Sequence, residues 1–382
     1  MKRRDFLRKS AAAATTALAA PYLVPSHVLA APGRLGANDR IRVGFIGAGG
    51  RARHLMTAER LSDNGDIVAI ADCFLPQCGE AAKSLPSADK ITLYQDYRQM
   101  LEKEKLDAVF VPTTTHARVL IAITAMQAGL DVYAEKPVCL TIAEGRALVN
   151  AVKKTKRVLQ VGTQQRSIPV NVYASKLVRD GAIGKVHTVI TYNFEPPARW
   201  TPKPGEPMPE GLDWDHWCNQ TELRPYHPDL HRKWGLWWDY DGGGQSWGVT
   251  GWGTHSLDQV QCALGTDDTG PVEIWPDEPG PTGKVTMKYA NGTLLKLHGA
   301  KRHLEDLGAI FIGDKGKIDI QRGSYHPEDE ELLKGAPEKI PANSPGECVP
   351  HLANFFDCMR TRKQPNAHAE IAHRSTTVCY LV

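Results

Sequence analysis

From Ile41 onward the chain alternates short apolar runs with helical stretches, and this alternation restricts the fold more than any other feature. IRVGFIG, DIVAIAD, ITLY and DAVFV read as strands, each followed by helical spacing, over residues 51–62, 77–85, 97–104 and 116–128. A strand, helix, strand repeat requires a parallel sheet with helices on both faces. DVYAE and RVLQVGT extend the series. Between them Thr141 and Glu144 have capping-box spacing, which opens one more helix. The first domain is expected over residues 38–163.

After a helix over residues 170–180 and the strand KVHTVITYNF, the pattern breaks. Residues 196–240 are rich in Pro and Trp and keep no period, and a connection that long is expected to run over a site. A helix over 256–264 precedes VEIW, KVTMKYA, TLLKLHGA, GAIFIG and KIDIQ, with Asn291-Gly292 as the strongest hairpin signal. Helical spacing returns over 344–382. The fold class is α/β: a doubly wound parallel sheet, then a second domain over 164–382 with a mostly antiparallel open sheet. The 382 residues suit two domains.

At the N-terminus, Lys2-Arg3-Arg4-Asp5-Phe6-Leu7 precedes a weakly apolar run from Ala11 to Ala20, the layout of a twin-arginine signal. Val28-Leu29-Ala30 suits a cleavage site, so residues 1–30 are expected to be removed on export to the periplasm or another extracytoplasmic space. That segment carries five Lys/Arg and one Asp, and without it the formal charge of +3 becomes −1. A nearly neutral chain has no basic footprint for nucleic acid. No later run approaches the length of a membrane-spanning helix. The eight cysteines show neither C-x-x-C nor metal-ligand spacing and read as scattered core thiols. His227, Asp229 and His231 alternate in a Pro-rich loop, where convergence on one ion is rare, and no metal is expected.

Gly47, Gly49 and Ala52 follow the first strand in the pattern G-x-G-x-x-A, with Gly50 between them. The first glycine permits a tight turn, the second lets backbone approach a pyrophosphate, and Ala52 allows close packing of helix on strand. Asp72, at the end of the second strand, is the expected acceptor for a ribose hydroxyl. Cys73-Phe74-Leu75 offers no arginine for a 2′-phosphate, so NAD is favoured over NADP.

With these residues, Glu135-Lys136-Pro137, Gly162-Thr-Gln-Gln-Arg166 and Gly253-Thr-His255-Ser-Leu-Asp258, the chain resembles the Gfo/Idh/MocA family of dinucleotide-dependent oxidoreductases over residues 38–382. The resemblance implies a Rossmann domain and an α/β domain whose open sheet often forms the interface of a homo-oligomer. It also implies a sugar, polyol or related substrate, and a chain that continues beyond Val382. It marks Lys136 as the residue that contacts substrate and relays a proton, with Pro137 after a cis peptide bond, and His255 as a second catalytic candidate. Thr113, His116 and Glu135 join the cofactor-binding set. Two departures stand out: the family's Asp-x-Gly-x-His has Gly251 in the carboxylate position, and its His-x-His keeps only His116.

Eight of the nine tryptophans, among them Trp247 and Trp252, lie between residues 200 and 252. They suit either sugar stacking or an aromatic core. Arg166, Tyr173, Trp252 and Asp258 are the candidate substrate residues. Export of a folded protein with its dinucleotide favours redox-neutral turnover on a carbohydrate with the cofactor retained. A glycosidase working by transient oxidation, and a non-catalytic binding relative, are the two other readings.

Overall fold

The computed structural model describes residues 36, 39–192, 194, 196–241, 248–299, 307–342 and 344–382. The twin-arginine segment and Trp247 lie outside the described residues. The first sheet is built from β1 (Ile41–Ile46), β2 (Gly65–Ala71), β3 (Thr92–Tyr94), β4 (Ala108–Val111), β5 (Asp131–Ala134) and β6 (Leu159–Val161). All its pairs are parallel, in the order β3-β2-β1-β4-β5-β6. The order reverses between β1 and β4, and the crevice beyond the strand ends at such a switch point is where ligands bind. Phe45, Phe110 and Tyr133 stack across the three central strands with ring centroids 4.8 and 4.9 Å apart. Full burial of a phenylalanine contributes roughly 1.5–3 kcal/mol.

The helix expected over 51–62 is two short ones, Gly50–Met56 and Glu59–Asn64, interrupted at Thr57 and Ala58. The capping box is present: Glu144 N donates to Thr141 Oγ1 at 3.1 Å, and Thr141 N to Glu144 Oε2 at 3.2 Å.

The second sheet comprises β7 (Val186–Tyr192), β8 (Pro271–Pro276), β9 (Val285–Tyr289), β10 (Leu294–Gly299), β11 (Ala309–Gly313), β12 (Gly316–Gln321) and β13 (Ser324–Pro327), in the order β13-β12-β11-β7-β10-β9-β8. Only the central β7–β10 pair is parallel, the rest antiparallel. One face packs on helices Pro169–Arg179 and Gly253–Leu264 through Val189, Leu295, Phe311, Ala174 and Leu257. The Asn291-Gly292 turn closes β9 onto β10, with Thr293 N donating to Asn291 Oδ1 at 3.0 Å. Helix Val349–Thr361 follows the second sheet in sequence yet returns to the first, where Phe355 meets Phe110 and Tyr133 edge-on. Among the described residues no helix is long and apolar enough to cross a membrane.

Candidate active site

Strand ends of the first sheet build the nucleotide cavity. Gly47 leaves β1 at φ +99°, and a Cβ there would lie 3.2 Å from Thr113 and 3.3 Å from Pro112, so only glycine fits. Asp72 leaves β2 with its carboxylate fixed by Ala48 N at 2.8 Å, Phe74 N at 2.9 Å and Gln77 Nε2 at 3.0 Å, with the Cys73 thiol at 3.7 Å. Gly47, Gly49, Gly50, Asp72 and Thr113 line a cavity of about 470 Å³. Ala52 is fully buried in the core beneath. A glycine cradle and an anchored carboxylate on either side of a cavity fit a dinucleotide.

The Pro/Trp-rich excursion forms the far wall of this cavity. Leu75 N donates to Gly211 O at 3.0 Å, and Asp213 N to Cys73 O at 2.8 Å, which stitch it to the end of β2. Gln95 Nε2 adds a bond to Gly211 O at 3.0 Å. Trp217, His231 and Trp234 then face the cavity. The excursion has its own core, with Trp214 and Trp217 stacked at 4.5 Å and Leu212, Tyr226, Leu230 and Tyr240 around them. His227 Nδ1 caps helix Pro228–Arg232, and His231 packs among aromatic rings, so the two do not converge.

Glu135 and Lys136 leave β5. Glu135 is held by Arg51 Nε at 2.7 Å, with Gly162 making the room: a Cβ at Gly162 would sit 2.6 Å from the carboxylate. Burial raises the Glu135 carboxyl, but Arg51, Lys136 and Arg118 outweigh it and hold the group below its usual range. Glu135 does not line the cavity itself, whereas its partner Arg51 does. The Lys136–Pro137 bond is cis. Lys136 Nζ donates to Gly251 O at 2.8 Å and lies 5.5 Å from the centre of the Trp252 ring. Burial lowers the lysine from its ordinary value to about 8, against the attraction of Glu135 and Asp241.

His255 sits in the first turn of helix Gly253–Leu264, which starts three residues earlier than its spacing suggests. Gly253 N donates to Gly248 O and Thr254 Oγ1 to Thr250 O, so the preceding loop winds directly into the helix. The imidazole lies 6.2 Å from the Trp252 ring, so Trp252 stands beside both Lys136 and His255. Burial, with the charges of Arg322, Lys136 and Arg51, holds His255 well below the ordinary histidine range and therefore neutral. Its Nδ1 is buried without a hydrogen-bond partner.

Four candidates are placed elsewhere. Arg166 donates through Nε to both oxygens of Asp258 at 2.9 Å and through Nη2 to Asp267 at 2.7 Å. Asp258 also accepts from Ser375 Oγ at 2.6 Å. Both groups are spent on a buried ion pair, which corrects their assignment as substrate residues. Tyr173 packs on Tyr325 and donates to Lys334 O at 3.1 Å, toward the end of the second sheet. His116 is turned from the cavity: Nε2 donates to Trp217 O at 2.7 Å between Trp217 and Tyr240, and burial lowers its imidazole to about 4. It anchors the excursion.

Spacing gave no signal for Arg118, Thr115, Asp241 and Thr250, which surround the Lys136 turn and come from segments more than a hundred residues apart. A carboxylate ahead of a glycine run was the only hint in the sequence.

Fold and site together define a dinucleotide-binding α/β protein with a half-buried lysine at the end of β5, two strands along from β1 and its glycine turn. Residues 41–163 match the oxidoreductase family's NAD-binding Rossmann fold and residues 168–382 its C-terminal alpha/beta domain. The chain belongs to the Gfo/Idh/MocA oxidoreductase family, and its first domain is of the NAD-binding type. It is 28% identical over 201 residues to an inositol 2-dehydrogenase/D-chiro-inositol 3-dehydrogenase of Lactiplantibacillus plantarum, covering 50% of this chain and 55% of that one. It is 32% identical over 145 residues to the D-apiose dehydrogenase of Paraburkholderia graminis, covering 38% of each. The matched region thus spans about half or less of these relatives. Among solved structures, the WlbA dehydrogenase of Bordetella pertussis in complex with NADH and UDP-GlcNAcA shares the fold. Its TM-score is 0.60 at 18% identity, covering 90% of this chain and 95% of that one.

Proposed function

We propose that the protein is an NAD-dependent oxidoreductase acting on a sugar, polyol or sugar derivative, with Lys136 as the proton-transfer group. The observation that carries this reading is the placement of Lys136, half-buried at the end of β5, its ammonium on Gly251 O and beside Trp252, and lowered to about 8. A lysine so tuned has a substantial neutral fraction near physiological pH and takes the proton of a substrate hydroxyl. NAD, when bound, supplies the hydride acceptor. Gly47, Gly49, Asp72 and Thr113 hold it, and Arg51, paired with Glu135, lies at its edge. Neutral His255 offers a hydrogen bond to a hydroxyl, and Trp252 offers an apolar face for a sugar ring. The relatives' names support a polyol or pentose as substrate.

Retention of the cofactor through a redox-neutral cycle belongs to the same proposal. It is supported by the aromatic excursion that walls the cavity, and it suits export of the folded, loaded protein by the twin-arginine route. A homo-oligomer built on the second sheet is supported by the exposed Val272, Ile274 and Trp275 of edge strand β8.

The test uses a chain starting at Ala31, dialysed, then denatured, with any released nucleotide identified by mass. Myo-inositol, D-apiose and a sugar panel are then offered. The expected result is near-stoichiometric NAD(H) and turnover that disappears in Lys136→Ala. A protein that carries no nucleotide and takes up none overturns the reading. Cleavage of an aryl glycoside at catalytic NAD redirects it to elimination chemistry.

A further inference from the structure

Position 251 is glycine, and Lys136 meets its carbonyl there. A buried carboxylate nevertheless reaches the lysine's surroundings from another segment. Asp241 is 3% exposed, and its two oxygens accept from Thr115 Oγ1 and from Thr250 Oγ1, the latter at 2.7 Å. Thr250 precedes Gly251. On the other side, Arg118 donates to Pro137 O, to Thr113 O and, at 3.4 Å, to Thr115 Oγ1. Thr115 Oγ1 accepts from Arg118 and donates to Asp241, so each proton has one place to go. The lysine turn, Arg118, Thr115, Asp241, Thr250 and Gly251 form a closed ring.

We propose that Asp241 is a positioning residue that acts through Lys136, its carboxylate setting the charge balance of that lysine for proton transfer. The role deepens the oxidoreductase reading and rests on it for the chemistry, though not for the lysine's titration. The groups facing Lys136 are Glu135 and Asp241 as anions and Arg322 and Arg51 as cations, with neutral His255 alongside. Cys379 also senses Lys136, and Arg118 and Tyr380 face Asp241. Glu135 is tied to Arg51 at 2.7 Å. Burial raises the Asp241 carboxyl, and the hydrogen bonds from the Thr115 and Thr250 hydroxyls, with the charges of Arg118 and Lys136, work to keep it ionised. Arg118, the nearby cation, directs its N–H groups at carbonyls and a hydroxyl. Asp241 thus acts on the lysine as a second anion, after Glu135.

The test is an NMR titration of ε-13C-lysine-labelled, full-length protein, with the Lys136 signal assigned by its loss in Lys136→Met. Removing the anion in Asp241→Asn should lower the Lys136 midpoint by roughly one pH unit or more. Asp241→Glu should restore most of it. Asp241→Ser, which keeps a hydroxyl for the two threonines, serves if the asparagine variant does not fold. An unchanged midpoint in either folded variant overturns the proposal. Once a substrate is in hand, the acid limb of kcat should move with the NMR midpoint while KM stays put. Absence of turnover would count against the oxidoreductase reading alone and leave the titration result standing.

Discussion

The two ends of the site are built from different material. At the nucleotide end, the cradle is short and local: a positive-φ glycine, the glycines that follow it, and one carboxylate at the next strand end that the Ala48 N–H anchors. At the reacting end, the working parts are side chains from four separate segments, around residues 115–118, 136, 241 and 250–255. Glycine cradles are specified over a few consecutive residues. Side-chain rings exist only once the tertiary fold closes, and each member by itself reads as an ordinary core polar group.

Substitutions should separate the two ends. Lys136→Ala is expected to lower turnover by about 10²–10⁴-fold while leaving NAD affinity intact, measured by kinetics and nucleotide fluorescence; a matching loss of affinity would merge the ends into one. Gly162→Ala, which drives a Cβ into Glu135, should cost about 1–3 kcal/mol in thermal or denaturant unfolding. Gly47→Ala should weaken NAD binding by about tenfold or more through strain at φ +99°, without shifting the pH profile of the reacting end.

The pH dependence sharpens the contrast. Turnover should rise as pH passes through about 8, where Lys136 becomes neutral. Stability carries the same signature. The unfolded chain keeps this proton to about pH 10.4. Between the two values the unfolded state binds more protons, so stability should increase with pH there, and Lys136→Met should flatten that rise. The smallest effect is expected from Gln95→Ala, which removes one stitch of the cavity wall and should speed nucleotide release a few-fold in stopped-flow displacement.

Legibility in the sequence followed the same division. Strand and helix alternation located all six strands of the first sheet, because a parallel sheet buried on both faces needs continuous apolar runs. Gly47, Gly49 and Asp72 were readable for the local reason given above. Arg166 and Asp258 looked like substrate residues because motif spacing cannot show that Asp267 and Ser375 wait to complete an ion pair. His116 had the right position in sequence, but its ring was claimed by Trp217, a residue a hundred positions away. Strand β13 was missed because SYHP is too short to show a period. Of the described tryptophans, Trp252 was brought to the lysine, while Trp214 and Trp217 became core.

The stitching of residues 211–213 to the end of β2 has a consequence for the order in which the molecule is made. A nascent chain released only through β6 holds the complete nucleotide fingerprint but half a container. The remaining wall leaves the ribosome later, with residues 211–234. Nucleotide arriving before that point would meet an open groove, whereas afterwards it would meet a cavity walled on that side as well. Loading is thus expected to depend on when the wall is made as well as on affinity.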